Sequence, residues 1–100
     1  MKLTQSTVTV DHGIYGKSKR AALVKDGLAI VKIERRGASW GIYSQRAGIA
    51  IGAAGYRTTR AAATRVMAAL LALPITWTSA EAGEQVLAHL DAVKAALATA

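Results

Sequence analysis

The chain has 100 residues, the size of one domain, and its 52% hydrophobic content is enough to bury a core without covalent staples. It has no Cys, which excludes disulfides and thiolate metal sites and suits a reducing compartment; it has no Phe, so the core must be built from Leu, Ile, Val and Ala around Trp40 and Trp77. Thirteen Lys and Arg against six Asp and Glu give a net charge of +7, a field that draws polyanions and says nothing about fold.

The chain opens on the polar stretch Met1-Lys2-Leu3-Thr4, with no signal-peptide apolar region. Residues 3–10 alternate, with Val8 and Val10 on one side and Thr7 and Thr9 on the other, which predicts a half-buried strand. Asp11-His12-Gly13 breaks the pattern, and Gly13 to Arg20 reads as an exposed loop carrying Lys17, Lys19 and Arg20. Ala21 to Val24 admits a short additional strand. Residues 28–34 form the next strand, with Ala29, Val31 and Ile33 on one face; the other passes from Leu28 and Ile30 to Lys32 and Glu34. A turn over Arg35 to Ser39 leads to two short strands, 40–45 and 49–53, around Arg46-Ala47-Gly48, whose glycine can take a positive φ. Trp40 shares a face with Ile42, and Ile49 with Ile51. Connections this short make an antiparallel meander.

After Gly55 the pattern changes. Thr58 or Thr59 can cap a helix over 59–73, on which Ala62, Val66, Ala69, Leu70 and Leu73 form one stripe facing the sheet. Pro74 ends it, and the most apolar run, Val66 to Ile75, is far short of the ~20 residues needed to span a bilayer, so a cytoplasmic protein with no membrane partner is expected. Thr78 and Glu81 have the spacing of a capping box for a second helix over 79–98. Its apolar positions Val86, Leu90, Val93 and Leu97 form a narrow seam suited to one other helix or to a second copy of itself. Met67 and Leu71 lie opposite the first helix's core stripe, where they are either covered by the last helix or form a protein interface. The whole is a single α+β domain over 1–100, with a three- to four-stranded antiparallel sheet followed by two helices packed on one face.

Catalytic and cofactor motifs are missing. Gly16-Lys17-Ser18 matches the end of a phosphate-binding loop, but Asp11 stands where the motif needs its first glycine. His12 and His89, the two histidines, fall in different elements, and His12 with Asp11 finds no third ligand, so no metal is expected. The six carboxylates show no acid–base spacing, and no Ser or Thr lies in a nucleophile elbow. A non-enzyme without cofactors is the reading.

The charge is unevenly spread: residues 1–66 carry twelve basic and three acidic side chains, and residues 67–100 one basic and three acidic. Arginine forks suit phosphates and guanine edges, and aromatic rings give bases a stacking platform. Candidate nucleic-acid contacts are therefore Lys17, Lys19, Arg20, Lys32, Arg35, Arg36, Trp40, Arg46, Arg57 and Arg60, with Tyr43, Tyr56 and Arg65 interleaved. The blander alternative is a solvated basic face with its aromatics in the core. Candidate protein-interface residues are Met67, Leu71, Val86, Leu90, Val93 and Leu97, either in a homodimer or against a host protein.

Trp40-Gly41-Ile42-Tyr43 within three antiparallel strands, followed by Tyr56-Arg57-Thr58-Thr59-Arg60-Ala61-Ala62-Ala63, resembles two related groups across residues 28–73. These are the plant ethylene-responsive DNA-binding domain and the arm-type DNA-binding domain of tyrosine recombinases. The resemblance implies a sheet, backed by a helix, whose strands enter the major groove, with Lys32, Arg35, Arg36, Trp40 and Arg46 at the groove-reading positions. Residues 74–100 have no counterpart. The small size and absence of enzymatic motifs are also similar to accessory proteins of phages and plasmids. A small DNA-binding accessory protein is the expected function. The alternatives are an inhibitor or adaptor that binds a host protein, for example an anti-defence factor, and a virion assembly component.

Overall fold

The structure, a computed structural model, describes residues 2–33, 39–52 and 56–99. Four strands follow one another in space as in sequence: β1 (Thr4–Asp11), β2 (Lys17–Lys25), β3 (Leu28–Lys32) and β4 (Trp40–Ser44), all antiparallel. Helices α1 (Arg60–Leu71), α2 (Ala82–Ala88) and α3 (Leu90–Leu97) come after them. The predicted α+β class and the antiparallel meander are both present.

The first hairpin is longer than the sequence pattern predicts. The segment read as a loop, 13–20, is a 3-10 turn over Gly13–Tyr15 followed by the first half of β2, paired with β1 from Asp11↔Lys17 to Thr4↔Val24. Hydrophobic alternation is silent there because Lys17 and Lys19 alternate with Ser18 and Arg20; the backbone ladder to β1 makes the strand. Asp26 and Gly27, both at positive φ, form the two-residue turn between β2 and β3, the twist-matched turn of tight hairpins. After β4, Ala50 makes a single bridge to Tyr43 where the pattern predicts a strand over 49–53, and residue 53 lies outside the described residues.

The sheet coils until its two ends meet. The Asp11 N–H donates to the Gly48 carbonyl at 2.9 Å, joining the free edge of β1 to the turn after β4. Gly48 sits at φ +70, and a Cβ there would overlap the Thr9 carbonyl oxygen, so this closure needs a glycine. The concave side encloses Val8, Val10, Ala22, Ala29, Val31 and Tyr43, with Tyr56 packed against them. The convex side carries Leu28, Ile30 and Ile42 against Ala63, Val66, Met67 and Leu70 of α1 and Val93, Ala96 and Leu97 of α3. β3 is central, and Leu28 to Val31 are buried on both faces.

Thr59 caps α1, its side chain accepting from the Ala62 N–H at 3.1 Å. Val66 and Leu70 are fully buried, as the predicted stripe requires, and so is Met67 on the far side, for which cover by the last helix is one of the two predicted alternatives. It is covered because α1 is packed twice, on β3 and β4 and on α3. The predicted helix over 79–98 is broken at His89, whose φ of −122° and ψ of 32° are not helical. The break turns Val93 and Leu97 into the core while Leu90 stays exposed and Val86 half-buried, so the predicted seam is split rather than continuous. The capping box does not form; Ser79 Oγ accepts from the Glu81 N–H instead, and α2 begins at Ala82. Trp77 is buried, and its indole N–H donates to the Leu70 carbonyl at 3.3 Å, satisfying the one polar atom of the ring.

Candidate nucleic-acid interface

Strand alternation decides which basic side chains share a surface. Leu23 pairs with Ile30 and Ile30 with Ile42, so the convex face also holds Lys17 and Lys19 of β2, Lys32 of β3 and Trp40 of β4. α1 covers the half of that face built from Leu28, Ile30 and Ile42. The other half, where the convex face of β3 changes from Ile30 to Lys32, lies open.

On this open half Lys32, Trp40 and Arg60 line one groove with Gln5, Ala21 and Leu23. The Lys32 ammonium lies 5.8 Å from the centroid of the half-buried Trp40 ring, a cation–π distance. Arg60 is the first residue of α1 and is exposed. Lys17 and Arg46, both exposed, line a neighbouring hollow with Thr7, Thr9 and Asp11. Arg46 reaches it because the turn after β4 closes onto β1. Lys19, across from Thr9, stands between the two hollows on the same face.

Three of the predicted contacts are placed differently. Arg20 pairs with Val8 and points to the concave side; it is half-buried, and its Nε has no hydrogen-bond partner. Arg57 is half-buried and directs its guanidinium at backbone carbonyls: Nη2 donates to Leu97 at 2.6 Å and to Thr99 at 2.7 Å, and Nη1 donates to Tyr56 at 2.8 Å. A cation there complements the carbonyl end of α3, which makes Arg57 a structural clasp. Tyr56, read as a stacking platform, packs against the concave core with its hydroxyl 3.1 Å from that of Tyr43. Arg35 and Arg36 lie outside the described residues.

The sequence reading missed the end of the first hairpin, where Ile14 and Tyr15 are 93% and 87% exposed. The signal was present as two large apolar residues bracketed by Gly13 and Gly16. Of the predicted protein-interface residues, Met67, Val93 and Leu97 are inside the core, Leu71 and Val86 are half-buried, and Leu90 is exposed. Exposed Ile49 and Leu87 line an apolar hollow with Val86 beside α2.

Among the described residues, no group of three or more His, Cys, Asp or Glu side chains is placed to hold a metal ion, and no helix is long and apolar enough to cross a membrane. The chain matches no family model, no curated protein and no solved structure.

Proposed function

We propose that this chain is a non-enzymatic nucleic-acid-binding module of the cytoplasm, with duplex DNA as its first ligand, and that it binds through the open half of the convex sheet face. The observation that carries the reading is the groove shared by Lys32, Trp40 and Arg60, which come from three different elements. Lys17, Lys19 and Arg46 extend that positive surface along β1 and β2. Among the described residues, the acidic Glu81, Glu84 and Asp91 belong to α2, α3 and their approach, so that Asp11 in the Lys17–Arg46 hollow is the carboxylate set among these cations. The mode differs from the one the resemblance implies. A sheet face opposite the helix cannot enter a groove when Val31, Tyr43 and Tyr56 fill it, so contact falls on the helix side.

Titration of the protein against duplex DNA, single-stranded DNA and RNA at several salt concentrations tests this. Log affinity should fall linearly with log salt, because each phosphate neutralised releases counterions. Absence of binding to all three at ~50 mM salt would overturn the reading. A second reading, an adaptor or inhibitor that docks a host protein, is supported by the apolar hollow of Ile49, Val86 and Leu87. That reading gains if nucleic-acid binding fails.

A further inference from the structure

The β1–β2 hairpin ends in two large apolar side chains that touch little of their own protein. Ile14 is 93% exposed and Tyr15 87%. A loose tip with such residues would be ordinary, but this one is braced. The Asp11 carboxylate accepts from the Gly13 N–H at 2.8 Å, and the His12 N–H donates to the Gly16 carbonyl at 2.8 Å. The Gly16 N–H returns to the Gly13 carbonyl at 3.1 Å, and the His12 ring is tied to Ser18 Oγ at 2.7 Å. The two side chains are thus held out from a fixed turn, so ordering them costs a partner less entropy than ordering a loose loop.

The surroundings indicate what would receive them. Lys17 and Lys19 follow the tip on the convex face, and Arg46 shares a hollow with Lys17. That basic track continues along the same face to Lys32 and Arg60. An apolar wedge ahead of a row of cations fits a polyanion with an apolar interior, which describes a base stack behind its phosphates. A single-strand binder would present several aromatic platforms in succession. Here the tip offers one ring beside a branched aliphatic, and Trp40 is half-buried with Lys32 near its ring. One aliphatic with one aromatic suits prising open a single base step of a duplex.

We infer that the hairpin tip inserts Tyr15 and Ile14 between base pairs of duplex DNA, with Lys17 and Lys19 holding the flanking phosphates. This rests on the nucleic-acid reading and adds how the duplex is engaged. The test uses the full chain and a duplex of about 20 base pairs carrying 2-aminopurine. Wild-type binding should brighten the 2-aminopurine as its step opens. The Ile14→Ser, Tyr15→Ser double variant should remain folded by circular dichroism, since both positions are exposed. It should bind duplex roughly five- to hundred-fold more weakly with the salt slope unchanged, because stacking releases no counterions, and should give no brightening. Lys17→Gln with Lys19→Gln should flatten the salt slope yet keep the brightening at saturation. If the double variant binds and brightens as wild type does, the insertion is overturned while nucleic-acid binding stands; a tip that docks a protein gives the same result. Equal weakening on the matching single strand overturns the duplex assignment. If the wild type binds no nucleic acid, both readings fall together.

Discussion

The ring of Tyr56 lies directly over Gly41. A Cβ on residue 41 would overlap Cε1 and Cδ1 of that ring, so the missing side chain in β4 is what lets Tyr56 close the concave core. An aromatic ring laid over a strand glycine restores the packing that the glycine gives up. The neighbouring Tyr43 completes the arrangement, its ring tilted at 57° to that of Tyr56 with centroids 6.5 Å apart.

Gly41→Ala should therefore destabilise the protein by about 1–3 kcal/mol through overpacking. Urea melts of Gly41→Ala, Tyr56→Ala and the double variant would measure the coupling. The two changes should be non-additive, because the severe overlap of the methyl added by Gly41→Ala is with the Tyr56 ring, and only the contact with Tyr43 Cε1 at 3.0 Å is left once that ring is gone. Strict additivity would mean that the close approach carries no energy.

Gly48→Ala should cost more than about 1 kcal/mol, since the φ of +70° is unfavourable for alanine and its methyl would meet the Thr9 carbonyl. Amide exchange should show the loss locally, with faster exchange at Asp11, whose N–H is held by the Gly48 carbonyl. Unchanged protection at Asp11 would argue against closure of the sheet at this point.

Arg57→Ala removes the donors that hold the Leu97 and Thr99 carbonyls. A loss of about 1–3 kcal/mol is expected, since the bonds come from a charged, half-buried group. Exchange should accelerate through α3, while DNA affinity measured below the melting temperature should stay near wild type. A large fall in affinity with stability intact would return Arg57 to the binding surface.

Lys32→Gln with Arg60→Gln should leave stability nearly unchanged, because both side chains are exposed. The slope of log affinity against log salt should flatten by about 0.9 for each phosphate that is no longer neutralised. Anisotropy titrations at three or four salt concentrations would show it, and an unaltered slope would remove these residues from the interface.

Leu97→Glu should unfold the chain, because Leu97 is buried in the core that α3 shares with α1, whereas Leu90→Glu should fold normally. Sedimentation of the wild type and of Leu90→Glu would show whether the exposed part of the last helix also joins two copies. A wild-type dimer that Leu90→Glu converts to a folded monomer would identify that face as the contact.

Much of the fold is written in local pattern. Val8 and Val10, Ala29 and Val31, and Leu28 and Ile30 declare their faces by period two, and the switch from Ile30 to Lys32 marks where α1 stops covering the sheet. Thr59 declares its cap. The Asp26-Gly27 dipeptide is a strong short hairpin signal that the sequence reading did not use, and it implies both β2 and its pairing with β3. What pattern could not reveal was long-range. Period 3.6 places Met67 opposite the sheet and leaves two covers open, the last helix or a partner; the choice of the last helix is a long-range one that no local pattern makes. Composition marks Arg57 and Arg60 as equivalent cations, but one faces the carbonyl end of a helix forty residues away and the other faces solvent. The candidate site was accordingly half readable: its charges could be found by counting, while their sorting to convex or concave side depended on register.

The Arg57 clasp joins segments far apart in the chain. The strand pairings of the meander join segments adjacent in the chain, contacts that form early because little chain entropy is lost in making them. The clasp instead waits for carbonyls 40 and 42 residues downstream. Until those residues are in place, Met67 and Leu70 lack the cover of Val93 and Leu97, and that apolar surface stays exposed. Residues 90–97 are the stretch that seals it.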